Sequence, residues 1–234
     1  MGALQSFVET AAIAIAGIVI RLLFAVTALA ILAVVLAAIF KGWEGVRGLL
    51  ARASGVMRAG TLTWRRGFYY SPGHTWLESM RDGSVRVGLD DLAQKILPGA
   101  RVLQFAAVGG VLRKGDPLAK LAVGDHCLTI GAPADGRVVA VNERLGDNPS
   151  LLHLDPYRRG WLAALAPSAR EFESFPTGAG AQAWIHREDH RLNAFLEAEL
   201  GIAAADGGEW IVPPATMLSE TQFKALAREF LESK

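Results

Sequence analysis

The sequence has few cysteines and no large excess of charge of either sign, and these two features exclude several classes of protein. It contains only one cysteine, Cys127, in 234 residues, so neither an intramolecular disulfide nor a multi-cysteine metal site can form. Charge of one sign is not in excess, because 24 lysines and arginines nearly balance 23 aspartates and glutamates. A chain without a net positive field does not attract nucleic acid over a distance. We therefore expect no nucleic-acid partner.

Motifs for nucleotide binding and covalent hydrolysis are also missing. The sequence has no Walker-type loop, no dinucleotide-binding fingerprint and no G-x-S-x-G nucleophile elbow. His186 and His190 are four residues apart on a predicted helix, a spacing that can bind zinc, but no third ligand accompanies them. We interpret them, together with Glu188 and Asp189 between them, as part of a charged, solvated helix face. We predict no catalytic residues, no metal and no cofactor.

Apolar residues are concentrated before Lys41. Residues 22–40 form an uninterrupted apolar run of nearly the ~20 residues that a helix needs to cross a bilayer. Arginines are frequent after this run, whereas no lysine or arginine precedes Arg21, and the positive side of a span is normally cytoplasmic. Residues 1–41 are therefore predicted to anchor the chain in a bacterial inner membrane. An interfacial helix is expected in residues 42–53, and three glycines with scattered arginines indicate a linker in residues 54–67. The rest of the chain is expected in the cytoplasm.

Arg21 has two interpretations at the start of this run. Inside the hydrocarbon it would need a partner, which would make it a contact with another subunit. Alternatively the bilayer begins at Leu22 and the Arg21 side chain reaches out to the headgroups. We favour the second interpretation and keep Arg21 as a candidate partner contact.

Short β-type runs separated by glycine, proline and aspartate fill the sequence between Tyr70 and Leu165. Many short strands at this spacing predict a closed or sandwiched β fold. One helical stretch interrupts them at residues 89–97 and stops at Pro98 and Gly99. The predicted strands are SVRVGL, ARVLQFA, GVLRKGDPLAKLAV, HCLTIGAP, GRVVAVN and WLAAL.

Several short motifs follow one another in this region. They are YSPGHTW (70–76), VGLDDLA (87–93), KGD (114–116), GRVVAVNE (136–143), DNP (147–149), DPY (155–157) and GWL (160–162). In order and spacing they resemble the glycine cleavage H protein family. The resemblance implies a barrel-sandwich hybrid in residues 68–168. It also implies a β-hairpin whose tip presents a lysine for lipoylation.

The sequence departs from the family at that lysine. Counted without gaps from Gly115, the position is Asp125, and a carboxylate has no amine with which to form the lipoyl amide. Gly124 and Asp125 predict a tight turn at the hairpin tip. Lys120 is expected within a strand, where it is a poor substitute. We name Gly124, Asp125 and His126 as candidate partner contacts and expect Cys127 to pack inward as a small apolar residue.

Two helices are predicted in the C-terminal extension, residues 169–234. Residues 182–200 place apolar side chains near one face, and a capping box at Ser219 and Gln222 begins a second helix. These helices pack either on the β domain or on a partner.

The predicted fold class is therefore α+β: a single N-terminal transmembrane helix, an H-protein-like β-sandwich and a helical C-terminal extension. The predicted function is a non-catalytic scaffold, docking or assembly subunit of a larger membrane complex, of a redox or energy-converting kind. Two alternatives stay open. The chain is a carrier, lipoylated at an unexpected lysine or acting through Cys127, or it is a sensor of a small ligand.

Overall fold

A computed structural model describes most of the chain, namely residues 55–200 and 218–232 together with part of the N-terminal segment. The described N-terminal residues are 21, 26, 27, 29 and 31–38, and all of them are helical and exposed. The chain divides into two units, residues 1–54 and residues 55–234.

The transmembrane helix predicted in residues 1–41 requires a correction. In the part of the chain that the structure describes, no helix combines the length and the apolar character needed to cross a membrane. This finding overturns the membrane-spanning element of the predicted fold class, because an apolar run predicts a span only if its residues form one sufficiently long helix. Most of residues 1–41, and all of the predicted interfacial helix at 42–53, lie outside the described residues.

The second unit begins with a hairpin where the sequence predicted a linker, at residues 54–67. Strand β1 (Val56–Ala59) pairs antiparallel with strand β2 (Leu62–Arg65). Gly60 occupies the turn with a φ of +63°, a left-handed conformation that glycine adopts without steric cost. Trp64 of β2 is buried. Gly60, one of the glycines that indicated a linker, is thus the turn residue of a β-hairpin.

A six-stranded antiparallel sheet forms one layer of the domain. Its spatial order is β3-β4-β5-β11-β10-β7. The strands are β3 (Tyr69–Tyr70), β4 (Thr75–Ser79), β5 (Val85–Leu89), β7 (Val111–Leu112), β10 (Gly136–Val141) and β11 (Trp161–Pro167).

A three-stranded antiparallel sheet forms the other layer, in the order β6-β8-β9. Its strands are β6 (Arg101–Phe105), β8 (Pro117–Val123) and β9 (His126–Gly131). Apolar side chains from both sheets are buried together, among them Leu121 and Ile130 of the smaller sheet. The predicted β-sandwich is therefore present.

Helices connect the strands and follow them. They are α1 (Asp91–Ile96), α2 (Arg144–Asp147), α3 (Leu151–Leu154), a 3-10 turn (Glu171–Ser174), α4 (Gly178–Leu200) and α5 (Glu220–Phe230). The predicted capping box is formed at the start of α5, where Ser219 and Gln222 satisfy each other's backbone N–H groups.

The C-terminal helices pack on the β domain of their own chain. Ile185 and Leu192 of α4, together with Phe223 and Phe230 of α5, belong to the same buried cluster as Trp76 of the six-stranded sheet. Between the two alternatives left by the sequence, the structure therefore supports packing within the chain.

Candidate functional site

The β8–β9 hairpin ends in a two-residue turn made by Gly124 and Asp125. Val123 and His126 pair across its base, and Gly124 has a φ of +58°, as such turns require. Both turn residues are exposed. The outermost functional group of the hairpin is therefore the Asp125 carboxylate.

No amine belongs to this turn. Lys120 is exposed but lies inside β8, where it pairs with Thr129 of β9. Lys114 lies in the turn before β8, and its backbone N–H donates to Asp135 Oδ1 at 2.6 Å. Neither lysine is displayed at the end of the hairpin, because a residue within a strand is flanked on both sides by paired backbone.

His126 ties the base of this turn to helix α5. Its Nδ1 lies 2.8 Å from Glu220 Oε2, and its Nε2 lies 3.2 Å from the carbonyl oxygen of Leu218. The imidazole also stacks on Phe223, with ring centroids 4.4 Å apart and planes 9° from parallel. Both ring nitrogens therefore lie within hydrogen-bonding distance of an oxygen atom that follows or belongs to the start of the C-terminal helix region.

Cys127 faces outward, contrary to the prediction that it packs inward. The side chains of Leu128 and Ile130 are more buried than those of Cys127 and Thr129, which are exposed. Side chains alternate between the two faces of a strand, so the core positions of Leu128 and Ile130 place Cys127 on the other face. Cys127 and Thr129 line a groove of about 570 Å³ whose other wall is α5, including Lys224.

A second cluster of charged groups lies in the core. The His74 side chain is fully buried, and its Nδ1 lies 2.8 Å from Asp90 Oδ2. Its Nε2 lies 3.4 Å from Glu188 Oε2 of helix α4, which is an ion-pair distance and too long for a good hydrogen bond. Asp90 also caps α1, since its Oδ1 accepts from the backbone N–H of Ala93 at 2.9 Å. Arg191 donates to Glu188 at 2.6 Å.

The carboxylates keep this buried histidine charged. Burial by itself lowers the pKa of His74, but the adjacent carboxylates of Asp90 and Glu188 outweigh it and raise the pKa from 6.5 to about 9. For Glu188, burial acts in the opposite direction and by itself raises the pKa. The positive charges of His74 and Arg191 outweigh this effect, so the pKa of Glu188 is lowered overall. The cluster is an imidazolium held between two carboxylates.

This buried cluster has no room for a substrate. The space beside His74, Asp90 and Glu188 holds no water-sized volume. Trp184 and Phe230 close over the imidazole, with ring centroids 5.1 and 6.0 Å away. The arrangement therefore joins the β domain to its C-terminal helices and is not an active centre.

Sequence reasoning did not identify this cluster. It used His74 only as part of a motif, and it assigned Glu188 and Asp189 to a solvated helix face with His186 and His190. The structure exposes the two histidines but buries both carboxylates, so half of that interpretation is wrong. A signal was present, because Glu188 follows the core residue Ile185 by three positions and therefore shares its helix face.

The predicted partner contacts divide between the two units. Gly124, Asp125 and His126 come together at the hairpin tip, whereas Arg21 is an exposed helical residue of the first unit. In the described residues no group of three or more side chains is arranged to hold a metal ion.

A two-sheet β-sandwich with an exposed two-residue hairpin turn places the chain among proteins built like lipoyl carrier domains. The model of the glycine cleavage H-protein family matches residues 68–185, and the chain belongs to this family.

Known proteins of this kind match about half of the chain. A probable glycine cleavage system H protein from Thermococcus kodakarensis is 36% identical over 118 residues, which are 50% of this chain and 87% of that protein. The glycine cleavage system H protein 2 of Aquifex aeolicus is 33% identical over 128 residues, covering 52% of this chain and 80% of the relative. A crystal structure of a glycine cleavage system H protein from Mycobacterium marinum is similar with a TM-score of 0.42 and 29% identity, over 45% of this chain and 87% of that one.

Proposed function

We propose that this chain is a non-catalytic member of the H-protein family that carries no lipoyl group on its hairpin and acts by docking to another protein. The observation that supports this most directly is Asp125 in the exposed turn of the β8–β9 hairpin. A carrier arm is joined through an amide to a lysine amine, and a carboxylate can only accept hydrogen bonds or pair with cations. The hairpin therefore offers a recognition surface in place of an attachment point.

The fixed position of the hairpin supports a docking role. His126, next to the turn, contacts Leu218, Glu220 and Phe223 of the C-terminal extension. The matched family region ends at residue 185, so these three contacts belong to a part of the chain outside that match. A surface already ordered before binding loses less conformational entropy when a partner docks.

A carrier function is the alternative, because the relatives bear the name of a glycine cleavage protein and Lys120 is exposed on the same hairpin. In this alternative a lipoyl group would be attached to a lysine within a strand. The two functions differ in one covalent bond, which a mass measurement detects.

The test is intact-mass analysis of the full chain produced in a host that lipoylates its own proteins. We expect the unmodified mass for the chain itself and for the matched control Asp125→Ala. We expect the added mass of a lipoyl amide on part of the Asp125→Lys variant if the hairpin retains a tip that lipoyl ligases accept. A lipoyl adduct on the unaltered chain would refute the proposal and establish the carrier alternative.

Docking itself is tested by purification from the native cell under gentle conditions. We expect a stoichiometric protein companion that is lost in an Asp125→Arg variant, because reversing the charge at the tip opposes any contact made to the carboxylate. The Arg113→Ala variant, altered at an exposed turn elsewhere, should keep the companion. Recovery of the unaltered chain as a lone monomer would contradict the proposal.

A further inference from the structure

An arginine-lined cleft lies on the six-stranded sheet side of the domain. Its volume is about 450 Å³, within the range of small-molecule sites. Strand β5, the segment after β10 and the turn before β11 each contribute to it. The charged lining residues are Arg86, Glu143, Arg144, Arg158 and Arg159.

Positive charge exceeds negative charge among the residues that line this cleft. Four arginines line it together with a single acidic residue, Glu143, and outside the lining Asp82 interacts electrostatically with Arg86. Among the ion pairs of the described residues, Arg159 is the only one of the four that takes part, with its Nε 2.8 Å from Asp155 Oδ2. Arg86 lies over the Trp161 ring at 5.4 Å. Like charges gathered around one cleft repel one another, and an anionic ligand reduces that repulsion.

The backbone around the cleft is held in place by one buried amide. Asn142 is 3% exposed, and its Nδ2 donates to the carbonyl oxygens of Arg159 at 2.7 Å and Trp161 at 2.8 Å. These bonds join the segment that carries Arg144 to the turn that carries Arg158 and Arg159. Gly160, in the same turn, lets helix α3 pack closely against it, since a Cβ at that position would lie 2.5 Å from the Leu151 carbonyl oxygen. The arginines therefore project from a rigid frame.

From this geometry we infer that the cleft binds a small molecule bearing a diphosphate or longer phosphate chain. Guanidinium groups are planar forks that match phosphate oxygens in pairs. Several of them around one cleft of this size need several negative charges on the ligand, which a single carboxylate does not provide. The site is separate from the hairpin turn, because none of its lining residues belongs to β8 or β9.

The experiment titrates the full chain with inorganic pyrophosphate and tripolyphosphate by calorimetry at low and moderate salt. We expect saturable binding at one site, weakened about tenfold or more in the Arg144→Ala/Arg158→Ala variant, since each charged hydrogen bond contributes about that factor. The Arg113→Ala variant is the matched control because it removes an exposed arginine outside the cleft. It should bind both anions as the unaltered chain does.

Three outcomes would overturn the inference. They are no saturable binding of either anion, equal weakening by Arg113→Ala, and unchanged binding in the cleft variant at an unaltered melting temperature. A poly-glutamate peptide provides a further comparison. Tighter binding of the peptide than of tripolyphosphate, lost in the same cleft variant, would assign the cleft to an acidic protein segment and refute the phosphate ligand.

Discussion

Two histidines hold the C-terminal helices to the β domain, and they do so in opposite environments. His74 is fully buried between Asp90 and Glu188. His126 lies at the hairpin and pairs with Glu220, whose side chain is 61% exposed. Each histidine belongs to the β domain and places its imidazole beside a glutamate carboxylate on a helix of the C-terminal extension.

The difference in burial changes what each contact contributes. When an ion pair is buried, the attraction between its charges only about offsets the free energy lost with their hydration. Removing one partner therefore leaves a buried, unpaired charge, which is strongly destabilising. An ion pair with an exposed member competes with water and salt and contributes little. We therefore expect His74 to govern the stability of the whole domain, and His126 to govern only the local attachment of α5.

The largest effect is expected from His74→Asn. Asparagine tolerates the left-handed backbone at this position, where φ is +55°, but it leaves Asp90 and Glu188 buried without their cation. The free energy of unfolding should fall by about 3 to 5 kcal/mol. Urea denaturation measures it, with the exposed His190→Asn as the control, expected within about 0.5 kcal/mol of the unaltered chain. Equal stability of the two variants would contradict the buried ion-pair assignment.

The dependence of stability on pH should follow the same residue. Because folding raises the pKa of His74 from 6.5 to about 9, the folded state binds this proton more tightly than the unfolded state does. The contribution is complete below the unfolded pKa and is lost as the pH rises through about 9, by an amount on the order of 3 kcal/mol. Unfolding free energies measured across this window should decline more steeply in the unaltered chain than in His74→Asn. Parallel curves would refute the charged state of His74.

A smaller and local effect is expected from His126→Ala. The variant loses the stack on Phe223 and the contacts to Glu220 and Leu218, together worth about 1 kcal/mol. Hydrogen exchange of the α5 amides should become faster, while the amides of β4 and β5 keep their protection. Cys127→Ala is the matched control, because this neighbour makes no hydrogen bond to α5 among the described residues. If α5 exchanges at the same rate in both variants, His126 does not hold the helix.

Much of the β domain could be predicted because its signals are local. Turn glycines, alternating apolar residues and the capping box at Ser219 each act within a few residues. Counting residues from Gly115 predicts that Asp125 lies at the hairpin tip, and in the structure Gly124 and Asp125 are the two residues of the hairpin turn. The side of the sheet on which Cys127 lies could not be predicted in this way. Successive side chains of a strand alternate between two faces, so an error of one residue exchanges the buried face and the exposed face.

The prediction of a transmembrane helix in the N-terminal segment was wrong for a different reason. The apolar run of residues 22–40 indicated a transmembrane helix, whereas no described helix is long and apolar enough to form one. Composition gives the polarity of a segment, but it does not by itself establish the length of the helix that the segment forms.

By itself, the sequence determined the chemistry at the hairpin tip, since the atoms of residue 125 include a carboxylate and no amine whatever the fold. It also determined most of the strands between residues 70 and 165 and the start of the capped helix α5, through local turn and capping residues. The tertiary structure alone decided that Glu188, from a helix more than a hundred residues away along the chain, meets His74 in the core. It also gathered arginines from three separate segments around one cleft. Charges distant in sequence interact only after folding brings them within a few ångströms and removes the water between them.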